Sequence, residues 1–298
     1  MKNRKIGVLM GGKSSEREIS LKSGNAVLNS LIRSNYDAIG IDAGNNLVEI
    51  LINKKIQVAF IALHGRWGED GTVQGLLEMM GIPYTGSGIT GSAISLDKAI
   101  MKMLLDNSGL PTPEYTIYQN GDEIDFPLPF VVKPANEGST IGISIVRKTE
   151  EINQAIENAM RYDRKIIIEK YIQGQEITVS IVNEKTLPVI EVKPLNGFYD
   201  FEAKYSKGKT EYIIPAKITG EIERKTQKYA LEVFKVFELS GCARIDMIVN
   251  ENSVPYIIDI NTSPGMTETS LVPKAWEYLG KSFDELVEKI LSGASLKI

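Results

Sequence analysis

Apolar positions along the chain fall into two periods that alternate through the first ninety residues. Lys5–Met10 (KIGVLM) and Val58–Leu63 (VAFIAL) are continuous apolar runs, the pattern of strands buried on both faces. Between them, from about Ile19 to Ile32, the apolar residues Ile19, Ala26, Val27 and Leu31 share one helical side. A further helix ends near Gly81. Strands alternating with helices predict a parallel α/β unit, in which ligands bind at the loops that follow the strands. Those loops are Gly11-Gly12-Lys13-Ser14-Ser15-Glu16-Arg17-Glu18 and His64-Gly65-Arg66-Trp67-Gly68-Glu69-Asp70-Gly71.

The texture changes at Pro83–Gly91 (PYTGSGITG), which places a domain boundary there. Beyond it the pattern predicts a helix over Leu96–Asn107 and strands at Pro129–Lys133 and Gly142–Val146 around a small-residue loop. A helix capped by Thr149 then runs to Met160, followed by a strand at Lys165–Glu169. Glu176–Val192 reads as two antiparallel strands. Leu195–Tyr212 is a long lysine-rich and aromatic loop, the composition of a lid. A helix over Glu221–Ser240, strands at Ala243–Val249 and Pro255–Ile260, and a last helix opened by a Ser282/Glu285 capping box complete the chain.

Composition narrows the function classes. The 298 residues are 43% hydrophobic and 24% charged, ordinary for a globular protein, and long enough for two domains or three small ones. With 34 basic and 38 acidic residues the net charge is −4, so nucleic-acid binding through bulk positive charge is not expected. No apolar run approaches the ~20 residues of a membrane span. The basic N-terminus runs into Glu16, Arg17 and Glu18 after too short an apolar stretch for an export signal, so a cytoplasmic setting is expected. One cysteine, Cys242, precludes an intrachain disulfide, and one histidine, His64, precludes a Cys/His metal site.

Two motif matches are set aside. Gly7 to Ser14 fits G-x4-G-K-[ST], but Gly7 lies inside the first strand, where a phosphate loop cannot begin. Gly86 to Gly91 fits G-x-G-x-x-G without a buried strand before it, and reads as an interdomain hinge.

The chemistry concentrates near the C-terminus. Arg244 and Asp246 share one strand face, as do Asp259 and Asn261. Paired as a hairpin, the strands present two carboxylates, an amide and a guanidinium on one face, with Ile245, Met247, Ile258 and Ile260 on the core face. Oxygen donors of this kind suit Mg2+ completed by phosphates, and Arg244 suits an oxyanion. The plain alternative is a solvated polar face. Upstream, Lys133 ends a strand and Gly138-Ser139-Thr140 offers backbone N–H groups to phosphate. Glu169-Lys170-Tyr171-Ile172 ends another strand and suits a purine or ribose.

In order, GGKSSEREISLKSG, HGRWGEDGTVQG, LDK, VVKPANEGSTIG, EKYIQGQE, YDFEAKY, GCARIDM and INTSPGMTETSLVP resemble the D-alanine–D-alanine ligase family of the ATP-grasp superfamily, from Ile6 to about Gly280. The resemblance implies a three-domain ATP-grasp fold: an N-terminal parallel α/β domain (1–88), then central (89–174) and C-terminal (175–298) α+β domains gripping ATP. It implies that Lys98, Lys133 and Lys204 contact phosphates, that Glu169, Lys170 and Ile172 contact adenine, and that Glu176 contacts ribose. Asp246, Asp259 and Asn261 would hold two Mg2+ (or Mn2+) ions. Glu16 would bind the first D-alanine's ammonium, with His64 and Arg244 near its carboxylate. Gly265 N–H would join Arg244 in an oxyanion hole, and Ser270 and Leu271 would receive the second D-alanine. Ser139 and Tyr205 would link with Glu16 to close the lid.

The implied activity is ATP-dependent dipeptide formation through an acyl phosphate for peptidoglycan synthesis, by a cytoplasmic homodimer. The alternatives are ligation to D-lactate or D-serine, and a silent nucleotide-binding module. Tyr205 favours D-alanine over D-lactate as acceptor. The family usually has glutamate where this chain has Asp259, one methylene shorter. Outside the resemblance, Cys242 and Trp67 read as packing residues, and the Asn261-Thr-Ser sequon as silent.

Overall fold

The computed structural model describes residues 1–119, 121–194, 209–267 and 269–297. Lys204 and Tyr205, with most of the expected lid, lie outside the described residues.

The first sheet is parallel, β1 (Ile6–Met10), β2 (Ala38–Asp42) and β3 (Val58–Ile61) in the order β2-β1-β3. Helices α1 (Arg17–Arg33) and α2 (Leu47–Asn53) connect the strands, and α3 (Thr72–Met79) follows. Every residue of β1 is buried, because both of its faces are covered. Ile6, Val8 and Met10 pack with Val27 and Leu31 of α1, whereas Leu9 packs with Leu47, Leu51 and Leu77 of α2 and α3. A Cβ on Gly24 would lie 2.4 Å from the Met10 Cβ, so this glycine lets α1 settle on β1.

The expected hinge at Gly86–Gly91 instead opens a helix. Helix α4 (Ile89–Leu96) starts after Gly88, and α5 (Lys98–Asn107) follows directly. Asp97 separates them. Its backbone is extended, and its carboxylate accepts from Ala99 N (3.1 Å) and Ile100 N (3.3 Å). That cap makes Lys98 the first residue of α5.

The second sheet contains β4 (Tyr115–Tyr118), β5 (Phe130–Pro134), β6 (Ser144–Val146) and β7 (Ile166–Lys170), antiparallel in the order β4-β7-β5-β6. Helix α6 (Ile152–Met160) covers it. The entry to α6 differs from expectation. Thr149 opens a 3-10 turn, and the Glu151 carboxylate caps it by accepting from Arg147 N and Lys148 N.

The third sheet is antiparallel. Its main path is β11-β10-β8-β12-β13, formed by β8 (Gly174–Val182), β10 (Ile190–Pro194), β11 (Thr210–Ile213), β12 (Cys242–Asn250) and β13 (Pro255–Asn261), with β9 (Lys185–Thr186) on β8. Helix α7 (Gly220–Val236) covers one face. Helices α8 (Leu271–Tyr278) and α9 (Phe283–Ser292) pack on the other side, in a core shared with β1 and α1. The Ser282/Glu285 capping box forms as expected.

The β12–β13 pair carries the expected register, Arg244 opposite Asn261 and Asp246 opposite Asp259. One expectation fails there. A bulge pairs Met247 with Ile257, leaving Ile258 without a partner. Ile245, Met247, Ile257 and Ile260 enter the α7 core, while Ile258 turns with Asp259 into the cleft between the second and third sheets.

The α1–β1 contact generates a prediction. Gly24→Ala should cost about 1–3 kcal/mol in denaturant unfolding, the usual price of overpacking. A loss near zero would contradict the close approach.

Candidate active site

Two adjoining hollows contain the candidate residues. The first lies between the second and third sheets and is lined by Lys98, Lys133, Glu169, Lys170, Ile172, Glu176, Asp246 and Asp259, with Ile248 and Ile258 as apolar walls. The second is lined by Glu16, His64, Ser139, Arg244, Asn261, Gly265, Ser270 and Leu271, and also by Glu69. Arg244 and Asp246, two residues apart on β12, face one hollow each.

The first hollow has a floor of buried charge. Lys133 Nζ stands 2.6 Å from Glu169 Oε1, and Lys102 Nζ stands 2.7 Å from Glu169 Oε2. Burial alone would push the Glu169 carboxyl up, but the two lysines more than reverse this and hold it below its usual range. Burial pushes Lys102 down to about 8, with Glu169 opposing and Lys133 adding to the shift. Lys98, at the start of α5, donates to Glu137 O at 2.9 Å and pairs with Asp259 at 3.2 Å. Helix phase brings both lysines here, since Lys98 and Lys102 stand four residues apart on one face of α5.

Asp246 is saturated with donors. Arg244 binds it through Nε (2.8 Å) and Nη2 (2.7 Å), Thr178 Oγ1 donates at 2.7 Å, and Asn261 Nδ2 at 3.1 Å. Among the described residues no three His, Cys, Asp or Glu side chains form a metal cluster. The donor set here is two carboxylates and an amide on one sheet face. Its all-oxygen chemistry fits Mg2+ that shares its shell with phosphate oxygens.

In the second hollow Glu16 precedes α1 and its carboxylate accepts from Ser139 Oγ. Two glycines admit it: a Cβ on Gly65 or on Gly138 would stand 3.0 Å from Glu16 Oε2. Gly65 also has a φ of +63°, which favours glycine. Ser139 and Thr140 take left-handed backbone as well, at φ +52° and +63°, which tightens the Gly138–Thr140 loop. His64 is buried, with Nε2 3.3 Å from Ser23 Oγ, and Ser23 Oγ accepts from Met266 N at 3.1 Å. Burial lowers the His64 pKa; Glu16 opposes the shift and Arg244 reinforces it, so the ring is neutral at pH 7.

Sequence reasoning missed two residues. Glu69 lies inside a loop already marked as a candidate, yet no spacing distinguished it from Asp70. Its carboxylate accepts from Gly65 N (2.8 Å) and Ser263 N (3.1 Å), tying the loop after β3 to the loop after β13. Burial, and then the Glu16 charge, push its pKa up to about 8, although the two N–H groups oppose this. Lys102 could have been found from its four-residue spacing to Lys98. Cys242 is buried and its thiol is pushed up to about 12, as a packing residue requires.

A lysine-floored cleft gripped between two antiparallel sheets and joined to a smaller polar hollow defines an ATP-grasp protein. Two family models match, D-ala D-ala ligase N-terminus over residues 43–87 and D-ala D-ala ligase C-terminus over residues 104–292. The chain therefore belongs to the D-alanine–D-alanine ligase family. It is 47% identical to the D-alanine–D-alanine ligase of Geotalea uraniireducens, covering 100% of this chain and 98% of that one. It is 48% identical to that of Syntrophotalea carbinolica, with the same coverage. The crystal structure of the Bacillus anthracis D-alanine–D-alanine ligase superposes with a TM-score of 0.87 at 37% identity, covering 97% of each chain. The structure of that ligase complexed with ATP gives 0.85 at 35%, again covering 97% of each chain.

Glu69 generates a pH prediction. Its folded pKa is above the unfolded value, so the folded state holds a proton that the unfolded chain has released. The resulting stability is present at low pH and fades as pH rises from about 4.5 to 8. Over that window the ligand-free protein should lose roughly 1–3 kcal/mol more stability than Glu69→Gln does. Parallel denaturation curves at each pH check it, and identical slopes for the two proteins would contradict it.

Proposed function

We propose that this chain joins two D-alanines into D-alanyl-D-alanine at the expense of ATP, for peptidoglycan precursor synthesis. The observation that carries the reading is the meeting of a lysine-floored cleft and an acid- and arginine-lined hollow across one strand pair, β12–β13. Phosphoryl transfer needs a donor site and an acceptor site that share a wall.

In this reading Lys98 and Lys133 hold the nucleotide phosphates, Lys170 and Ile172 border the adenine with Glu169, and Glu176 takes the ribose. Mg2+, when bound, would be held by Asp246, Asp259 and Asn261 and would neutralise phosphate charge. Glu16 fixes the ammonium of the first D-alanine, and Arg244 draws its carboxylate toward the donor site. A carboxylate oxygen then forms a bond to the γ-phosphorus as the bond to ADP breaks, giving D-alanyl phosphate. Ser270 and Leu271 seat the second D-alanine. Its amine, once deprotonated, attacks the acyl carbon, and Arg244 with Gly265 N–H stabilises the oxyanion until phosphate leaves. Neutral His64 adds no charge beside that carboxylate. Positioning and electrostatics dominate such chemistry, which is consistent with a site rich in lysine, arginine and carboxylates. Lys204 and Tyr205 complete the reading as lid residues that exclude water from the acyl phosphate.

Three units, 1–88, 89–174 and 175–298, each centred on one of the three sheets, are the division this reading uses. A cytoplasmic homodimer is its setting. No helix among the described residues is long and apolar enough to cross a membrane, and Met79, Ile100 and Met103 expose apolar surface on α3 and α5.

Release of ADP and phosphate should require Mg2+ and D-alanine, and L-alanine, D-lactate and D-serine run in parallel should give far less. Equal release with L-alanine would contradict the ligase reading, and equal use of D-lactate its acceptor. Arg244→Met should lower kcat by about 10²–10³-fold, the cost of losing one oxyanion donor. Asp246→Asn should raise the Mg2+ concentration needed for half activity; an unchanged requirement would move the metal site elsewhere.

A further inference from the structure

Lys102 has no exposed surface and no part in the reading above. Its ammonium is nevertheless surrounded by protein oxygens. Nζ stands 2.7 Å from Glu169 Oε2, donates to Thr112 Oγ1 at 2.7 Å, and donates to Pro113 O at 3.1 Å. Thr112 passes the connection on to Ile257 O at 3.0 Å. Helix α5, the 112–113 segment, β7 and β13 are thus locked to one nitrogen. Burying an ion costs several kcal/mol even after relaxation. Charge balance does not require this one, because Lys133 already faces Glu169 at 2.6 Å. A second lysine leaves the cluster with a net positive charge, so its role lies in what it does to Glu169.

We propose that Lys102 is a positioning residue for nucleotide selection: acting through Glu169, it makes the base pocket accept a purine that presents an amino N–H at its edge and reject one that presents a keto oxygen. The proposal rests on the reading that Glu169 faces the base. A carboxyl this deeply buried would otherwise take up a proton. Protonated, it could donate to a keto oxygen as readily as it accepts from an amine. Held ionised and fixed at Oε2, it is an acceptor only. A keto oxygen brought against it leaves two acceptors facing each other with no proton between them, the kind of mismatch that gives strong discrimination. Lys133 cannot serve alone in this role, since the same ammonium is committed to the phosphates. Lys102 instead gives its hydrogen bonds to protein, Thr112 Oγ1 and Pro113 O, while its charge stands 2.7 Å from Glu169 Oε2.

The test compares kcat/KM for ATP with that for inosine triphosphate, which differs at the base edge by a keto oxygen in place of the amino group. The unmodified enzyme should prefer ATP by at least about 10²-fold. Lys102→Met should narrow that ratio by about tenfold or more through the two KM values, with kcat changed less than about threefold. Glu169→Gln, whose amide both donates and accepts, should narrow it similarly. The double variant should narrow it no further than the larger single effect, because both changes remove one interaction. If Glu169→Gln leaves the ratio intact, the base is not at Glu169, and the adenine reading falls together with the proposal. If Glu169→Gln narrows the ratio and Lys102→Met does not, the proposal alone is overturned. Multiplying effects in the double variant would also overturn it, since Lys102 would then act independently. Should Lys102→Met fail to fold, Thr112→Val removes one of the three anchors and should narrow the ratio by about threefold; an unmodified ratio there would overturn the proposal.

Discussion

Glu16 reaching Ser139 is the contact on which the rest of the site depends. One carboxylate joins the loop after β1 to the loop after β5. Its place exists only because Gly65 and Gly138 leave room on either side of it. Two further polar contacts extend the seam to the loop after β13, Glu69 to Ser263 N and Ser23 to Met266 N. Behind these loops the first and third sheets share one apolar core, and the second sheet packs in a core of its own.

Charge is distributed across the seam in a consistent way. On the cleft side the cations are buried and paired to carboxylates: Lys98 to Asp259, and Lys102 and Lys133 to Glu169. On the other side Glu16, Glu69 and Arg244 surround a space suited to an amino acid carrying both charges. Asp246 is the hinge between them, bound on one edge by Arg244 and on another by Thr178. The bulge at Ile258 aims Asp259 into the cleft beside it, where a flat strand pair would have turned either Ile258 or Asp259 away. Asp259 is placed there by backbone geometry.

Much of this was legible in the sequence, for stated reasons. Buried parallel strands announce themselves as apolar runs, and the loops at their ends supply Glu16, His64 and Glu69 to the second hollow. The period-two alternation of Arg244, Asp246, Asp259 and Asn261 predicted a pairing that the register matches. What escaped was tertiary in origin. The bulge follows from how β13 meets its neighbours, so Ile258 was assigned to the wrong face. Asp97 looked like an interior helix residue because its capping role depends on an extended backbone. Strands β2 and β4 and helix α8 are short, and packing makes them rather than periodicity. Glu69 gains its importance from Ser263, far along the chain, and Lys102, though its spacing from Lys98 was visible, gains its importance from Glu169.

The Glu16–Ser139 contact is most directly examined by a double-mutant cycle on kcat/KM for D-alanine with Glu16→Gln, Ser139→Ala and the pair together. If the contact orders the amino-acid hollow, the double variant should be about as active as the weaker single variant, giving a coupling of at least about 1 kcal/mol. Losses that simply multiply would mean that Glu16 and Ser139 act separately, and that the seam is held by something other than the bond between them.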